Sequence, residues 1–199
     1  MTKAVFLDRD GVINRKAPEG DYITSSEDFQ ILPGVAEAIS LLNRAGLRVI
    51  VVTNQRAIAK GLLTIAGLKK IHDRMCESLA RSGAVIDSIQ FCPHDYDPPC
   101  ACRKPAPGML LDAAREIGID LKASWMIGDS DIDIQAGKNA GCRTARIFAS
   151  NENSNANGID SGKSSIADVK AASLLDAVHQ ILQRESSTAS SLATDSAAR

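Results

Sequence analysis

The sequence predicts an α/β fold in which a central parallel sheet is covered by helices on both faces, a Rossmann-like three-layer sandwich. Short apolar, β-prone runs alternate with amphipathic stretches of helix length along the 199 residues, the pattern that such a sheet requires. Several of the apolar runs end directly in polar or charged residues, as strands do when their carboxyl ends line a ligand crevice. The chain is 44% hydrophobic with a formal net charge of −1, which allows a real core and gives no electrostatic case for nucleic acid or an anionic membrane.

The first strand is Ala4–Leu7, an apolar run that leads into Asp8 and Asp10. Pro33 and Gly34 open a helix to about residue 44, with Val35, Ala38, Ile39 and Leu42 on one side and Gly46 just past its end. Residues 47–52 form the second strand and run into Thr53, Asn54 and Gln55. A helix over about 65–81 carries the stripe Leu68, Ile71, Met75 and Leu79, and 86–91 form the third strand. Pro107 and Gly108 start a helix that ends near Gly118, and 124–127 form the fourth strand, ahead of Gly128 and Asp129. A short helix over 133–140 is closed by Gly141, and 143–148 form a fifth strand. The stretch 151–165 is rich in Asn, Ser and Gly and reads as a mobile loop. A last helix, about 166–184, offers Val169, Leu174, Leu175, Val178, Ile181 and Leu182 to the core. Residues 185–199 form a Ser/Ala/Thr tail with nothing to bury, expected to be disordered, so that one domain spans 1–184.

Asp8 and Asp10 stand one residue apart in Phe-Leu-Asp-Arg-Asp-Gly-Val-Ile-Asn, residues 6–14. Two carboxylates this close repel each other unless a cation sits between them or one holds a proton. Mg²⁺ suits the place, because it takes hard oxygen ligands and shares phosphate substrates. A calcium loop fails here: it needs glycine at its sixth position, where the loops from Asp8 and Asp129 have Ile13 and Ile134.

Four separated motifs follow in order: the Asp8/Asp10 pair, Thr53-Asn54-Gln55, Arg103-Lys104-Pro105, and Gly128-Asp129-Ser130-Asp131-Ile132-Asp133. Together they resemble the motifs of the haloacid dehalogenase superfamily of phosphohydrolases, over roughly residues 4–148. The resemblance implies a haloacid dehalogenase-like sheet with Asp8 as nucleophile and Asp10 as general acid, then base. It implies a catalytic Mg²⁺ held by Asp8, Asp10 (through its backbone carbonyl) and Asp129. Thr53, Asn54, Arg103 and Lys104 are the expected phosphate-binding residues, with Asp133 orienting Lys104 or the metal shell. Only about 45 residues separate Asp8 from Thr53, and the next interval holds one helix, one strand and a cysteine-rich loop. Neither interval leaves room for a cap domain. The mouth should be open and shaped by loops 15–30, 56–64 and 92–103.

The third loop carries a second signal: Cys92, His94, Cys100 and Cys102 lie within eleven positions. Three thiols and an imidazole so close suit tetrahedral Zn²⁺, and a full set leaves no open position for chemistry. The zinc should be structural, stapling this loop beside Arg103 and Lys104. A disulfide is the weaker reading, since no secretory signal precedes the first strand. Cys76 and Cys142 read as small core residues, and His72 and His179 as plain surface or packing histidines.

With this zinc-stapled loop the resemblance narrows to the capless, zinc-containing phosphatases, which include the heptose 1,7-bisphosphate 7-phosphatases and the histidinol-phosphate phosphatases. Residues 6–14, Asp21-Tyr22-Ile23 and 53–61 look more like the heptose group, from which Arg56-Ala57 and Ser130 depart. The implied partner is a small phosphorylated metabolite, a sugar bisphosphate first and histidinol phosphate second. A second phosphate would call for a further cation such as Arg56, whereas an amine would call for Glu19, Asp21 or Asp95. A catalytically silent binding module is opposed by the intact Asp8, Asp10, Lys104 and Asp129. No apolar run has the length of a membrane span and no signal peptide precedes the first strand, so a cytoplasmic protein is expected, and the open mouth is compatible with a monomer.

Overall fold

The computed structural model describes residues 2–148 and 167–196, with side chains described as far as Ser186. The loop expected at 151–165 lies outside these residues. In chain order the elements are β1 (Ala4–Leu7), α1 (Val35–Arg44), β2 (Arg48–Asn54), α2 (Arg56–Ala59), α3 (Ile65–Ala80), β3 (Ser88–Cys92), α4 (Gly108–Ile117), β4 (Trp125–Gly128), α5 (Asp131–Ala140), β5 (Arg143–Ile147), β6 (Val169–Ala171) and α6 (Leu174–Ser196). The strands form one sheet in the order β3-β2-β1-β4-β5-β6, and every described pairing is parallel.

The central strand explains its own composition. β1 lies between β2 and β4, with Phe6 opposite both Ile50 and Met126, so both of its faces must be apolar. Val5 and Leu7 join Val49, Val51 and the buried sides of α1, α3 and α6 on one face. Ala4 and Phe6 join Ile50, Val52, Met126 and residues of α4 and α5 on the other. This two-residue alternation gives the three layers that the sequence predicts. Thr64 caps α3 by accepting from Gly67 N at 3.0 Å. Gly141 ends α5 in the left-handed region, at φ 84°.

Two regions differ from the expectation. The segment read as the start of the last helix is the edge strand β6, which pairs Val169 with Ala145 and Ala171 with Ile147. Val169 and Ala171 are buried while Lys170 is exposed, a period of two too short to stand out in the sequence. The last helix therefore begins at Leu174. Its backbone continues to Ser196, into residues expected to form a disordered tail. Glu185, placed in that tail, is part of the fold: it accepts from Lys3 Nζ at 2.8 Å and Trp125 Nε1 at 3.4 Å and pairs with Arg143. A short turn of helix, α2, also stands within the loop expected at 56–64.

Among the described residues, the stretch between β1 and α1 holds only isolated bridges, Asp10 with Asn14 and Asn14 with Ile31. The interval between β2 and α4 holds α2, α3, β3 and the cysteine loop, so neither interval contains a cap domain. No described helix is long and apolar enough to cross a membrane.

Candidate active site

The chain winds outward through β2 and β3 on one side of β1 and through β4, β5 and β6 on the other, which opens a crevice at the carboxyl ends of β1 and β4. Asp8 leaves β1 at this point, with its N–H donating to Ile127 O at 3.0 Å. Asp129 leaves β4, and Asp133 comes from the first turn of α5. Gly128 is required between strand and helix, because a side chain there would overlap the Asp133 carboxylate. A side chain at Gly11, whose φ is +96°, would overlap the Asp129 carboxylate in the same way.

Lys104 joins these acids from the turn before α4. Its Nζ donates to Asp8 Oδ1 at 2.6 Å and Val52 O at 2.8 Å, and pairs with Asp133 Oδ1 at 2.7 Å. The side chain is 1% exposed. Burial works against its charge, but Asp133 and Asp8 outweigh burial and hold the ammonium charged beyond its ordinary range. Burial pushes the Asp8 carboxyl upward against the pull of Lys104, and Asp133 and Asp10 add to the rise. Asp133 is itself fixed by Ser130, whose N–H donates to Oδ2 at 3.1 Å and whose hydroxyl donates to the same oxygen in a capping box. Asp129 pairs with Lys16; burial raises its carboxyl while Lys16 opposes the rise.

Carboxylate oxygens of Asp8, Asp129 and Asp133 all lie within 4.8 Å of one another. Three acids against the two cations Lys104 and Lys16 leave an excess of negative charge, and the donors are all hard oxygens. The set fits a small divalent cation. The Asp10 carboxylate stands outside this group. It accepts from Arg9 Nη2 and Asn14 Nδ2, each at 2.9 Å, and from Gln55 Nε2 at 3.1 Å.

The second motif serves two ends. Thr53 is buried and its Oγ1 accepts from Gln55 Nε2 at 2.8 Å. Asn54 clamps the Lys104 peptide, donating from Nδ2 to its carbonyl at 3.2 Å and accepting from its N–H at 3.1 Å. Arg103 is turned to the mouth: it donates to His94 O at 3.1 Å and lies over the Tyr96 ring, 4.3 Å from the centroid. Arg56 lies over the same ring at 4.3 Å and pairs with Asp95.

Among the residues expected to act together, Asp8, Asp129 and Lys104 therefore converge, Asp133 meets Lys104, and Arg103 stands apart at the rim. Four contacts had no signal of their own in the sequence. Lys16, Asn14 and Arg9 meet the acids across a turn of irregular backbone. His72, expected to be a plain surface or packing histidine, is 7% exposed and lies with Nε2 3.3 Å from Arg9 Nη1. Burial and then the Arg9 charge push its pKa down to about 4.

The four predicted zinc ligands come together as one cluster. The thiol and imidazole atoms are separated by 3.2 Å (His94 Nδ1 to Cys102), 3.5 Å (Cys92 to His94, and Cys100 to Cys102) and 3.6 Å (Cys92 to Cys100). A tetrahedron about a metal bound at roughly 2.3 Å has edges of about 3.7 Å, close to these spacings. Burial, with Cys92 and Cys100 close by, pushes the Cys102 thiol up to about 12, so a cation is needed before all three ionise. All five cysteines are free. The cluster is tied to the second motif through Cys92, which is opposite Asn54 in the sheet and accepts from Gln55 N at 2.8 Å. Gly108 closes the loop on α4, where a side chain would overlap the Ala101 carbonyl.

Comparison with known proteins agrees with this geometry. A family model for haloacid dehalogenase-like hydrolases matches residues 3–141. The D-glycero-beta-D-manno-heptose-1,7-bisphosphate 7-phosphatase of Bordetella bronchiseptica is 44% identical over 140 residues, 70% of this chain and 77% of that one. The enzyme of the same name from Pseudomonas aeruginosa is 41% identical over 143 residues, 72% of this chain and 79% of that one. The crystal structure of D,D-heptose 1,7-bisphosphate phosphatase from B. bronchiseptica, complexed with magnesium and phosphate, superposes with a TM-score of 0.79 at 37% identity, covering 92% of this chain and 99% of that one. With its motifs at the switch point of the sheet and these relatives, the chain belongs to the haloacid dehalogenase-like hydrolase family.

Proposed function

We propose that this protein is a Mg²⁺-dependent phosphomonoesterase that removes the 7-phosphate of D-glycero-D-manno-heptose 1,7-bisphosphate. The observation that carries the reading is the convergence of Asp8, Asp129, Asp133 and Lys104 at one crevice, in a chain whose relatives at over 40% identity bear that activity. Asp8 and Asp129 would hold the Mg²⁺ together with the Asp10 backbone carbonyl, and Asp133 pairs with Lys104. The bound cation neutralises charge that would otherwise keep an anionic nucleophile from an anionic phosphate.

Asp8 attacks phosphorus: an Asp8 oxygen–phosphorus bond forms and the bond from phosphorus to the sugar oxygen breaks. Asp10 gives its proton to that leaving oxygen. Asp10 then takes a proton from water, whose oxygen bonds to phosphorus, and the Asp8 oxygen–phosphorus bond breaks to release inorganic phosphate and restore Asp8. Lys104, held from behind by Asp133 and the Val52 carbonyl, meets the non-bridging oxygens with Thr53 and the Asn54 backbone. A Zn²⁺ held by Cys92, His94, Cys100 and Cys102 would be structural and would keep the rim of the mouth in place. At that rim the cations Arg56 and Arg103 flank Tyr96, and Asp95 is already engaged by Arg56. This favours a substrate with a second anionic group over one with an amine.

Phosphate release from both anomers of the heptose bisphosphate and from histidinol phosphate, with Mg²⁺, tests the reading. A heptose preference of about a hundredfold or more in kcat/KM, equivalent to about 3 kcal/mol, is expected and should vanish in Asp8→Asn. Comparable slow rates on all three esters would remove the heptose assignment and keep the Asp8 chemistry.

A further inference from the structure

We propose that His72 and Arg9 are a positioning pair for Asp10, with His72 holding the Arg9 guanidinium and Arg9 aiming the carboxylate at the leaving oxygen. The inference rests on the reading of Asp10 as general acid and base. Arg9 is 1% exposed, an unusual place for a guanidinium. Its Nη2 lies 2.9 Å from both Asp10 oxygens and its Nη1 lies 3.3 Å from His72 Nε2. Its Nε has no partner, and the group sits 5.9 Å from the Phe29 ring centroid.

Guanidinium offers only donors, so the His72 Nε2 at this distance presents its lone pair. The ring is therefore the neutral tautomer with its proton on Nδ1. A histidine on α3, 63 residues along the chain from Arg9, is the buried acceptor for the hydrogen-bonding edge that points away from Asp10. The Phe91 ring meets the imidazole edge-on at 6.3 Å, which limits its rotation.

Stability alone does not explain this arrangement, since well-packed apolar side chains commonly replace a buried charged network at no loss. What the network supplies is direction. Asp10 follows β1 on irregular backbone, where its own rotamer is not set by a helix or strand. Arg9 and Asn14 from the turn after β1, and Gln55 from the start of α2, approach its two oxygens and restrict its orientation. Without the His72 acceptor, Nη1 is a buried donor with no partner, and the guanidinium must shift to find one. Misplacing a proton donor by about 1 Å can cost on the order of a hundredfold in rate.

The test separates positioning from folding through the leaving group. An alkoxide needs the Asp10 proton to depart, whereas p-nitrophenolate leaves without it. The alkyl ester is the heptose bisphosphate, or histidinol phosphate if that is the faster substrate; each leaves as an alkoxide. The ratio of kcat/KM for the alkyl ester to that for p-nitrophenyl phosphate does not depend on the fraction of folded enzyme. In His72→Leu this ratio is expected to fall about 10- to 100-fold with KM little changed. In His72→Gln, whose side-chain carbonyl can accept from Arg9, it should stay within about threefold of wild type. Asp10→Asn, measured alongside, should depress the same ratio at least as strongly. A wild-type ratio in His72→Leu, or an equal fall in the Gln and Leu variants, would overturn the pair while the Asp10 reading stands. An unchanged ratio in Asp10→Asn would overturn that reading and the pair with it.

Discussion

Lys104 illustrates how much of a site can hang on a single buried side chain. Among the described residues its ammonium is the one cation in direct contact with both Asp8 and Asp133, and burial makes each of these contacts strong. Lys104→Met keeps the volume and leaves two buried carboxylates uncompensated. The expected cost is about 3–5 kcal/mol, a fall in Tm of roughly 6–20 °C for a chain of this size. Phosphatase activity should fall by at least about a hundredfold, because the phosphate loses a preorganised cation. An unchanged melting temperature would mean that Lys104 is not the counter-charge. The residue types at Asp8, Asp129 and Lys104 were legible as chemistry because each directly follows or precedes a recognisable element. Arg9 and His72 were not, because a helix histidine and an arginine between two aspartates look the same in sequence whether or not they meet.

At the scale of elements, the loop between β3 and α4 gathers four residues that could hold a metal ion but has little packing of its own. Most of its residues are partly or fully exposed, and Cys92 is its one buried ligand. Without Zn²⁺, three thiols and an imidazole at 3.2–3.6 Å have only each other. Treatment with a strong chelator should release about one zinc per chain and make three further thiols reactive toward a disulfide reagent. It should also lower kcat/KM, because Lys104 hangs from this loop. Full retention of activity with the zinc removed would separate the loop from the site. The ligand spacing made this cluster readable in advance. β6 could not be read so, because three residues alternating buried, exposed, buried also satisfy one turn of an amphipathic helix.

For the molecule as a whole, His72 couples the site to the folding equilibrium. Folded His72 is pushed to about 4 from an ordinary 6.5, so the unfolded chain takes up its proton first as pH falls. Its contribution is fully present above about pH 6.5 and is lost as pH drops toward 4, on the order of 3 kcal/mol in all. Urea unfolding of wild type and His72→Gln at pH 7.5 and pH 4.5 isolates this group from the other buried acids. The stability gap between the two should move in favour of the Gln variant at the lower pH. A constant gap would mean that His72 is not held neutral.

The sequence by itself determined the layered fold, the strand that carries Asp8, the four motifs and the grouping of Cys92, His94, Cys100 and Cys102. Those features are local: a strand's two apolar faces, a turn that needs glycine, and ligands a few positions apart are set by neighbouring residues. The tertiary structure alone decided that Lys16 pairs with Asp129, that Glu185 closes the amino end of the sheet, and that His72 reaches Arg9. Each of these joins residues distant along the chain, and only the crossing of elements in space brings them within reach of a hydrogen bond.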